Sequence, residues 1–169
     1  WPIIRDMSKQ PHILVLFTDQ QRADCLGCAD HPVLQTPHMD RLAAQGTRFA
    51  NTFTTSPLCV PARISLITGL YPHNSNCWQG MTELPAGSDT FMHRLRAAGY
   101  RTCSIGKNHL YEMENCDLYA NHPKYQAAGF DDIEDMSGTW GIIEGQGIYV
   151  DHLKSLGLHK EVARYLKEL

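Results

Sequence analysis

Short apolar runs alternate along the chain with segments that carry helix start and stop signals. Residues 12–18 form a continuous apolar run, which predicts a strand buried on both faces, as in a parallel sheet. Residues 100–105 predict a second strand that ends at Gly106 and Lys107, and residues 48–54 favour extended backbone. The pattern therefore predicts buried strands separated by long connections.

The connections between these runs have helical periodicity and recognisable ends. The predicted helices are residues 37–44, 62–68, 89–98 and 159–169. Thr36 is the predicted cap of the first helix and Ser88 that of the third, because hydroxyl side chains accept from first-turn amides. Cys59 lies between Pro57 and Pro61, just before the second helix, and is therefore expected at a helix start.

Alternating strands and helices predict an α/β fold with a largely parallel sheet sandwiched by helices. Ligand sites in such folds lie at the carboxyl ends of the strands, where Asp19 and Lys107 are expected. Residues 111–147 are rich in Asn, Asp, Gly and Tyr without clear periodicity, and we interpret them as long connecting loops. One compact domain is the expectation for 169 residues of which 43% are hydrophobic.

Composition excludes several classes of partner. The net charge is only −3 and the charges are interspersed, so no basic stripe marks a nucleic-acid site. No apolar run approaches the roughly eighteen residues that a membrane span needs. Residues 1–10 do not resemble a signal peptide, which leaves a cytoplasmic protein, or an exported one whose signal has been removed, both open. The six cysteines are expected as reduced thiols, and Cys25 with Cys28 lacks the further ligands of a zinc site.

The most informative stretch runs from Leu58 to Gly69 and places a thiol beside a guanidinium. Cys59 at a helix start and Arg63 one turn later both favour an anion at this position. A phosphatase that used the thiolate directly would need a longer loop between Cys and Arg to wrap a phosphate, whereas three residues separate them here. That interpretation fits poorly.

Cys59, Pro61 and Arg63, with Thr68-Gly69 downstream, resemble the sulfatase signature. The resemblance implies that Cys59 is oxidised after synthesis to formylglycine, whose hydrate offers one hydroxyl to attack sulfur and a second to expel sulfate afterwards. It also implies that Arg63 stabilises the ionised hydroxyl. Ala62 stands where sulfatases most commonly carry serine, a departure that leaves the Cys, Pro and Arg intact.

A second element, Asp19-Gln20, follows the first predicted strand. Sulfatases typically have two aspartates here, and the Asp-Gln variant is similar to some sulfatases and to phosphonate monoester hydrolases of the same superfamily. The resemblance implies a divalent metal held by Asp19, Gln20 and the formylglycine at position 59. Oxygen ligands favour calcium, with magnesium or manganese as alternatives.

The third element, residues 99–110, resembles the second sulfatase signature. Lys107 and His109 match the cationic pair of that family, and the resemblance implies that they neutralise the anionic ester and assist its leaving oxygen. Asn108 replaces the aromatic residue that is commonest between them. That substitution puts the local packing in question.

The resemblance covers residues 10–110 and implies an alkaline-phosphatase-like fold that is incomplete in this chain. We expect residues 1–169 to be the N-terminal portion of a catalytic domain, with residues 111–169 as loops and a terminal helix. Asp19, Gln20 and formylglycine cannot supply the roughly six ligands of a calcium site, so the chain alone is expected to be inactive. The implied partners are the remainder of a sulfatase chain, a formylglycine-generating enzyme and a small-molecule or saccharide sulfate ester.

Two alternatives to sulfate ester hydrolysis stay open. A phosphonate or phosphate mono- or diester hydrolase could use the same nucleophile, and Asp19-Gln20 and Ala62 are compatible with it. An inactive fragment or a non-catalytic binding module is the other alternative, since the remaining metal ligands are not identifiable.

Overall fold

The computed structural model describes residues 10–112, 118–136, 138–145 and 147–168. The chain divides into two compact units, Trp1–Thr52 and Phe53–Leu169. Residues 1–9, on which the signal-peptide prediction rests, lie outside the described part. Among the residues described, no helix is both long enough and apolar enough to cross a membrane.

Polar contacts organise the first unit, which contains a 3-10 turn at Gly27–Ala29 and helix α1 at Pro37–Gln45. The Thr36 hydroxyl accepts from the Gly27 amide and donates to the Asp40 carboxylate, each at 2.8 Å. The same carboxylate accepts from the Cys28 amide at 2.8 Å. These hydrogen bonds hold the pKa of Asp40 below its ordinary value, and the bond from Thr36 has the largest effect. The turn and the helix are thereby tied together.

Helices and a small parallel sheet form the second unit. Its elements are α2 (Cys59–Thr68), α3 (Pro72–Ser75), α4 (Phe91–Ala97), β1 (Cys103–Gly106), a 3-10 turn (Tyr119–Asn121), α5 (His122–Ala127), β2 (Asp132–Asp135), α6 (Thr139–Glu144), α7 (Ile148–Ser155) and α8 (His159–Glu168). Strands β1 and β2 pair in parallel, with Cys103 opposite Asp132 and Gly106 opposite Asp135. A parallel pair requires a crossover, and α5 lies in that crossover. This arrangement confirms the predicted α/β class.

The core of the second unit forms around α2. Helix α2 buries Val60, Ile64 and Ile67, which are spaced four and three residues apart, as expected for an amphipathic helix. They share one hydrophobic cluster with side chains from α5, β2 and the connection between them, including Tyr125, Phe130 and Ile133. The core therefore fixes α2 against the segment that carries β2.

The predicted strand at residues 12–18 is absent from the structure, and this prediction was wrong. Ile13 to Phe17 are half or more exposed, from 50% at Phe17 to 80% at Leu14. Within residues 10–52 no strand is present to pair with this run, so its backbone has no ladder to join. Residues 48–54, predicted to be extended, also form no strand.

The four helices predicted from the sequence, α1, α2, α4 and α8, are present with some ends shifted, whereas α3 and α7 were not predicted. Helix α1 begins at Pro37 as predicted, whereas α2 begins at Cys59, before the predicted residue 62. Pro61 is tolerated there because first-turn amides have no intrahelical acceptor. Helix α4 begins at Phe91 because Thr90, and not Ser88, is its cap.

The interpretation of residues 111–147 as loops was wrong for much of their length. They contain α5, β2 and α6, and residues 113–117, 137 and 146 lie outside the described part. Each of these elements has only four to six residues. Such short elements show too few turns or alternations for a hydrophobic period to be detected.

Candidate active site

Helix α2 presents Cys59 at its first position. Its cap is Leu58, in extended conformation and without a side-chain hydrogen bond, so the first-turn amides point toward the position of Cys59. The side chain of Cys59 is partly buried and packs against the hydrophobic core. The positive end of the helix favours an anion or an ionised nucleophile at this residue.

Arg63 connects the nucleophile helix to the loop after β1. Its side chain lies one turn after Cys59 and is only 8% exposed. Its Nη1 donates a hydrogen bond of 2.5 Å to the carbonyl oxygen of Lys107. Three of the residues predicted from the motifs, Cys59, Arg63 and Lys107, are therefore held within one connected structure.

The loop after β1 carries Lys107 and His109. Gly106 ends the strand with φ of 92°, a left-handed conformation that glycine adopts at little cost. His109 has φ of 53°, which is uncommon for a residue with a side chain. Leu110, 2% exposed, then returns the chain to the core, and its carbonyl accepts from the Leu84 amide at 2.8 Å. The loop is thus a fixed turn that leaves His109 exposed.

His109 lies on the wall of a cavity of about 320 Å³. Val60, the neighbour of Cys59 on α2, lies on the same wall, together with Tyr111 and Asp135. The cavity therefore reaches the residue next to Cys59 and is lined by both polar and apolar side chains. It is large enough for part of a small organic substrate.

Tyr111 can act in this cavity as a neutral side chain only. Burial, and next the charge of Glu83, raise the pKa of Tyr111 to about 12. Its hydroxyl donates to the carbonyl of Lys124 at 3.1 Å. At neutral pH this phenol is protonated and is not a general base.

Asp19 and Gln20, the predicted metal ligands, belong to the first unit and are both exposed. A carboxylate and an amide oxygen are donors that fit a hard divalent cation. Among the residues that the structure describes, no group of three or more His, Cys, Asp and Glu side chains could hold a metal ion. The metal site formed by Asp19, Gln20 and Cys59 therefore stays a prediction.

Asp135 is a residue of this region that the motifs did not reveal. It ends β2, is 7% exposed, and hydrogen-bonds Asn108 between Lys107 and His109. The available signal was weak: a carboxylate two positions after the apolar residue Ile133, in a segment rich in acidic residues. Its importance depends on a contact across 27 positions of sequence.

Comparison with known proteins gives consistent matches. The family model described as Sulfatase matches residues 11–153. The uncharacterized sulfatase YidJ of Escherichia coli (strain K12) is 40% identical over 102 residues, covering 60% of this chain and 20% of that protein. The N-acetylglucosamine-6-O-sulfatase of Bacteroides thetaiotaomicron is 30% identical over 150 residues, covering 87% of this chain and 23% of that protein. The chain thus spans about a fifth to a quarter of the length of these relatives.

Solved structures give the same result at the level of the fold. A protein crystallised in complex with its substrate D-glucosamine-2-N,6-O-disulfate superposes with a TM-score of 0.66 and 30% identity, covering 79% of this chain and 24% of that one. This similarity confirms the alkaline-phosphatase-like fold, whereas the extent of the catalytic domain over residues 1–169 stays a prediction. With the Cys59-Pro61-Arg63 motif on α2 and a family match over most of its length, the chain belongs to the sulfatase family.

Proposed function

We propose that this chain carries the nucleophile and part of the anion-binding site of a sulfate ester hydrolase, with Cys59 oxidised to formylglycine. The observation that carries the proposal is the hydrogen bond from Arg63 to the Lys107 carbonyl. It holds the helix of Cys59 against the loop of Lys107 and His109, so the nucleophile and the cationic pair belong to one site. The family match supports the same chemistry.

The first half of the reaction transfers the sulfuryl group to residue 59. A separate formylglycine-generating enzyme, with its own oxidant, converts the thiol side chain of Cys59 to an aldehyde, which adds water. One hydroxyl of this hydrate loses its proton to solvent and attacks sulfur, and the bond between sulfur and the alcohol oxygen breaks. His109 gives a proton to the leaving oxygen, while Lys107 neutralises the sulfate charge.

The second half releases sulfate without an attack by water on sulfur. The remaining hydroxyl on the same carbon loses its proton to solvent, and the carbon–oxygen bond to sulfate breaks. The aldehyde re-forms and adds water again, so that one ester and one water give an alcohol and hydrogen sulfate. In the first half of the reaction, the guanidinium of Arg63 stabilises the ionised form of the attacking hydroxyl by a charge-assisted hydrogen bond.

A divalent metal belongs to this proposal, with Asp19 and Gln20 as ligands together with residue 59. The oxygen donors fit calcium best, and magnesium or manganese are the alternatives. Such an ion acts as a Lewis acid toward an anionic ester. Ligands beyond these are needed, because calcium binds about six to eight oxygens.

We propose a saccharide sulfate ester as the substrate. The support comes from relatives: a protein named for N-acetylglucosamine-6-O-sulfate hydrolysis, and an ulvan-active sulfatase of Formosa agariphila that is 35% identical over 127 residues, 75% of this chain and 24% of that protein. The cavity beside His109 and Val60 is compatible with a sugar-sized alcohol.

Hydrolysis of a phosphonate or phosphate ester is the second candidate. Gln20 replaces an aspartate that sulfatases typically carry, which removes one negative charge beside the proposed metal. A less negative site is better suited to a phosphate monoester, which carries a second negative charge, than a site with two aspartates. Ala62 in place of serine is compatible with both reactions.

Parallel assays with phenyl sulfate and phenyl phosphate test the proposal. The protein that contains this sequence is purified from its native host, so that any oxidation of Cys59 has already taken place. We expect turnover of the sulfate ester, and a loss of about a thousandfold or more in Cys59→Ala. A preference for the phosphate ester would support the second candidate, and no turnover of either ester would support a binding module.

A further inference from the structure

Asp135 is a buried carboxylate at the carboxyl end of β2. It is 7% exposed and lies opposite Gly106, the last residue of β1. A buried carboxylate is stable only where donors compensate for its lost hydration. Here Oδ2 accepts from the Tyr125 hydroxyl at 2.9 Å, and Oδ1 accepts from the Met136 amide at 2.9 Å.

Asn108 supplies the remaining donors to Asp135. Its backbone amide and its side-chain Nδ2 lie 3.4 and 3.2 Å from Oδ1 of Asp135. The same Nδ2 also donates to the Gly106 carbonyl at 3.1 Å, and Oδ1 of Asn108 accepts from the Ser104 hydroxyl. Both ends of the Asn108 amide group are therefore fixed by β1 and β2.

The neighbours of Asn108 are the two cationic residues of the proposed site. Lys107 precedes it and accepts at its carbonyl from Arg63. His109 follows it with φ of 53°, a conformation that persists in non-glycine residues only where surrounding contacts enforce it. Since Leu110 is buried on the other side, His109 lies between two fixed residues.

We propose that Asp135 is a positioning residue that holds the Lys107–His109 turn through Asn108. The ligand of the turn, a sulfate ester, rests on the proposed function. The contact between Asp135 and Asn108 that shapes the turn does not depend on that function.

The test is amide hydrogen exchange, followed by NMR on the 169-residue chain without substrate. In Asp135→Ala the Asn108 amide loses its acceptor, so its exchange becomes faster by about tenfold or more, and the His109 amide resonance shifts. Asp135→Asn restores slow exchange, because its Oδ1 still accepts from Asn108 and its Nδ2 can donate to Tyr125. Rescue by Asn separates this role from a requirement for charge.

Two further variants keep the test decisive. Asp132→Ala, on the same strand but at its opposite end, leaves exchange at Asn108 within about threefold of the original. If Asp135→Ala does not fold, Asn108→Ala serves instead, since it leaves the bonds of Asp135 to Tyr125 and Met136 in place. It is expected to shift the His109 resonance.

Unchanged exchange at Asn108 in folded Asp135→Ala, or an unshifted His109 in Asn108→Ala, would overturn the proposal. Neither measurement depends on turnover, so a failed sulfatase assay leaves this inference intact. The reverse also holds: a mobile turn would not by itself refute ester hydrolysis.

Discussion

Arg63 is the residue on which the geometry of the proposed site depends most. Its guanidinium is 8% exposed and reaches the Lys107 carbonyl across 44 positions of sequence. The motif predicts Arg63 as a partner of residue 59 alone, because spacing along one helix carries no information about the contact with Lys107. Asp135 escaped prediction for the same reason, since its role depends on a distant contact and no motif marks it.

Replacement of Arg63 by lysine should therefore cost stability as well as geometry. Lysine keeps the charge but loses the planar fork, so Arg63→Lys is expected to lower the free energy of unfolding by about 1–3 kcal/mol. The matched control is Arg101→Lys: its pair with Asp132 is exposed, so little change in the free energy of unfolding is expected. Urea denaturation of both variants measures the difference, and equal small losses would contradict the structural role of Arg63.

The elements were predictable where their signals are local. Pro37 and Gly46 mark the ends of α1, and Gly69 marks the end of α2, because proline and glycine act through their own backbone conformations. The strand predicted at residues 12–18 failed, since a strand needs a partner that the local sequence does not specify. Strand β2 was missed because its four residues are too few for a recognisable alternation.

Helix α4 offers a test of which hydroxyl caps it. Thr90 is 1% exposed, accepts from the His93 amide at 3.4 Å and donates to the Ala128 carbonyl at 2.6 Å. Thr90→Ala removes both contacts and is expected to destabilise the chain by about 2 kcal/mol. Ser88→Ala, at the cap predicted from the sequence, is expected to cost about 0.5 kcal/mol or less. Thermal or urea unfolding compares them, and a larger loss for Ser88→Ala would favour the original prediction.

At the scale of the whole molecule, the chain belongs to the sulfatase family and matches only part of the length of its relatives. It spans 20–24% of the length of the curated relatives compared, and the described residues contain no group of three or more His, Cys, Asp and Glu side chains that could hold a metal ion. Ile105 on β1 is 79% exposed, although parallel strands are normally covered on both faces. The prediction that the 169-residue chain alone is inactive follows from the same shortage of ligands.

The chemical state of residue 59 tests the central claim most directly. Mass spectrometry of the peptide that contains Cys59 and Arg63, taken from protein made in its native host, distinguishes thiol from aldehyde. If Cys59 is oxidised to formylglycine, the peptide has lost one sulfur and two hydrogen atoms and gained one oxygen, alone or as its hydrate. A fully retained thiol at Cys59 would contradict the central claim.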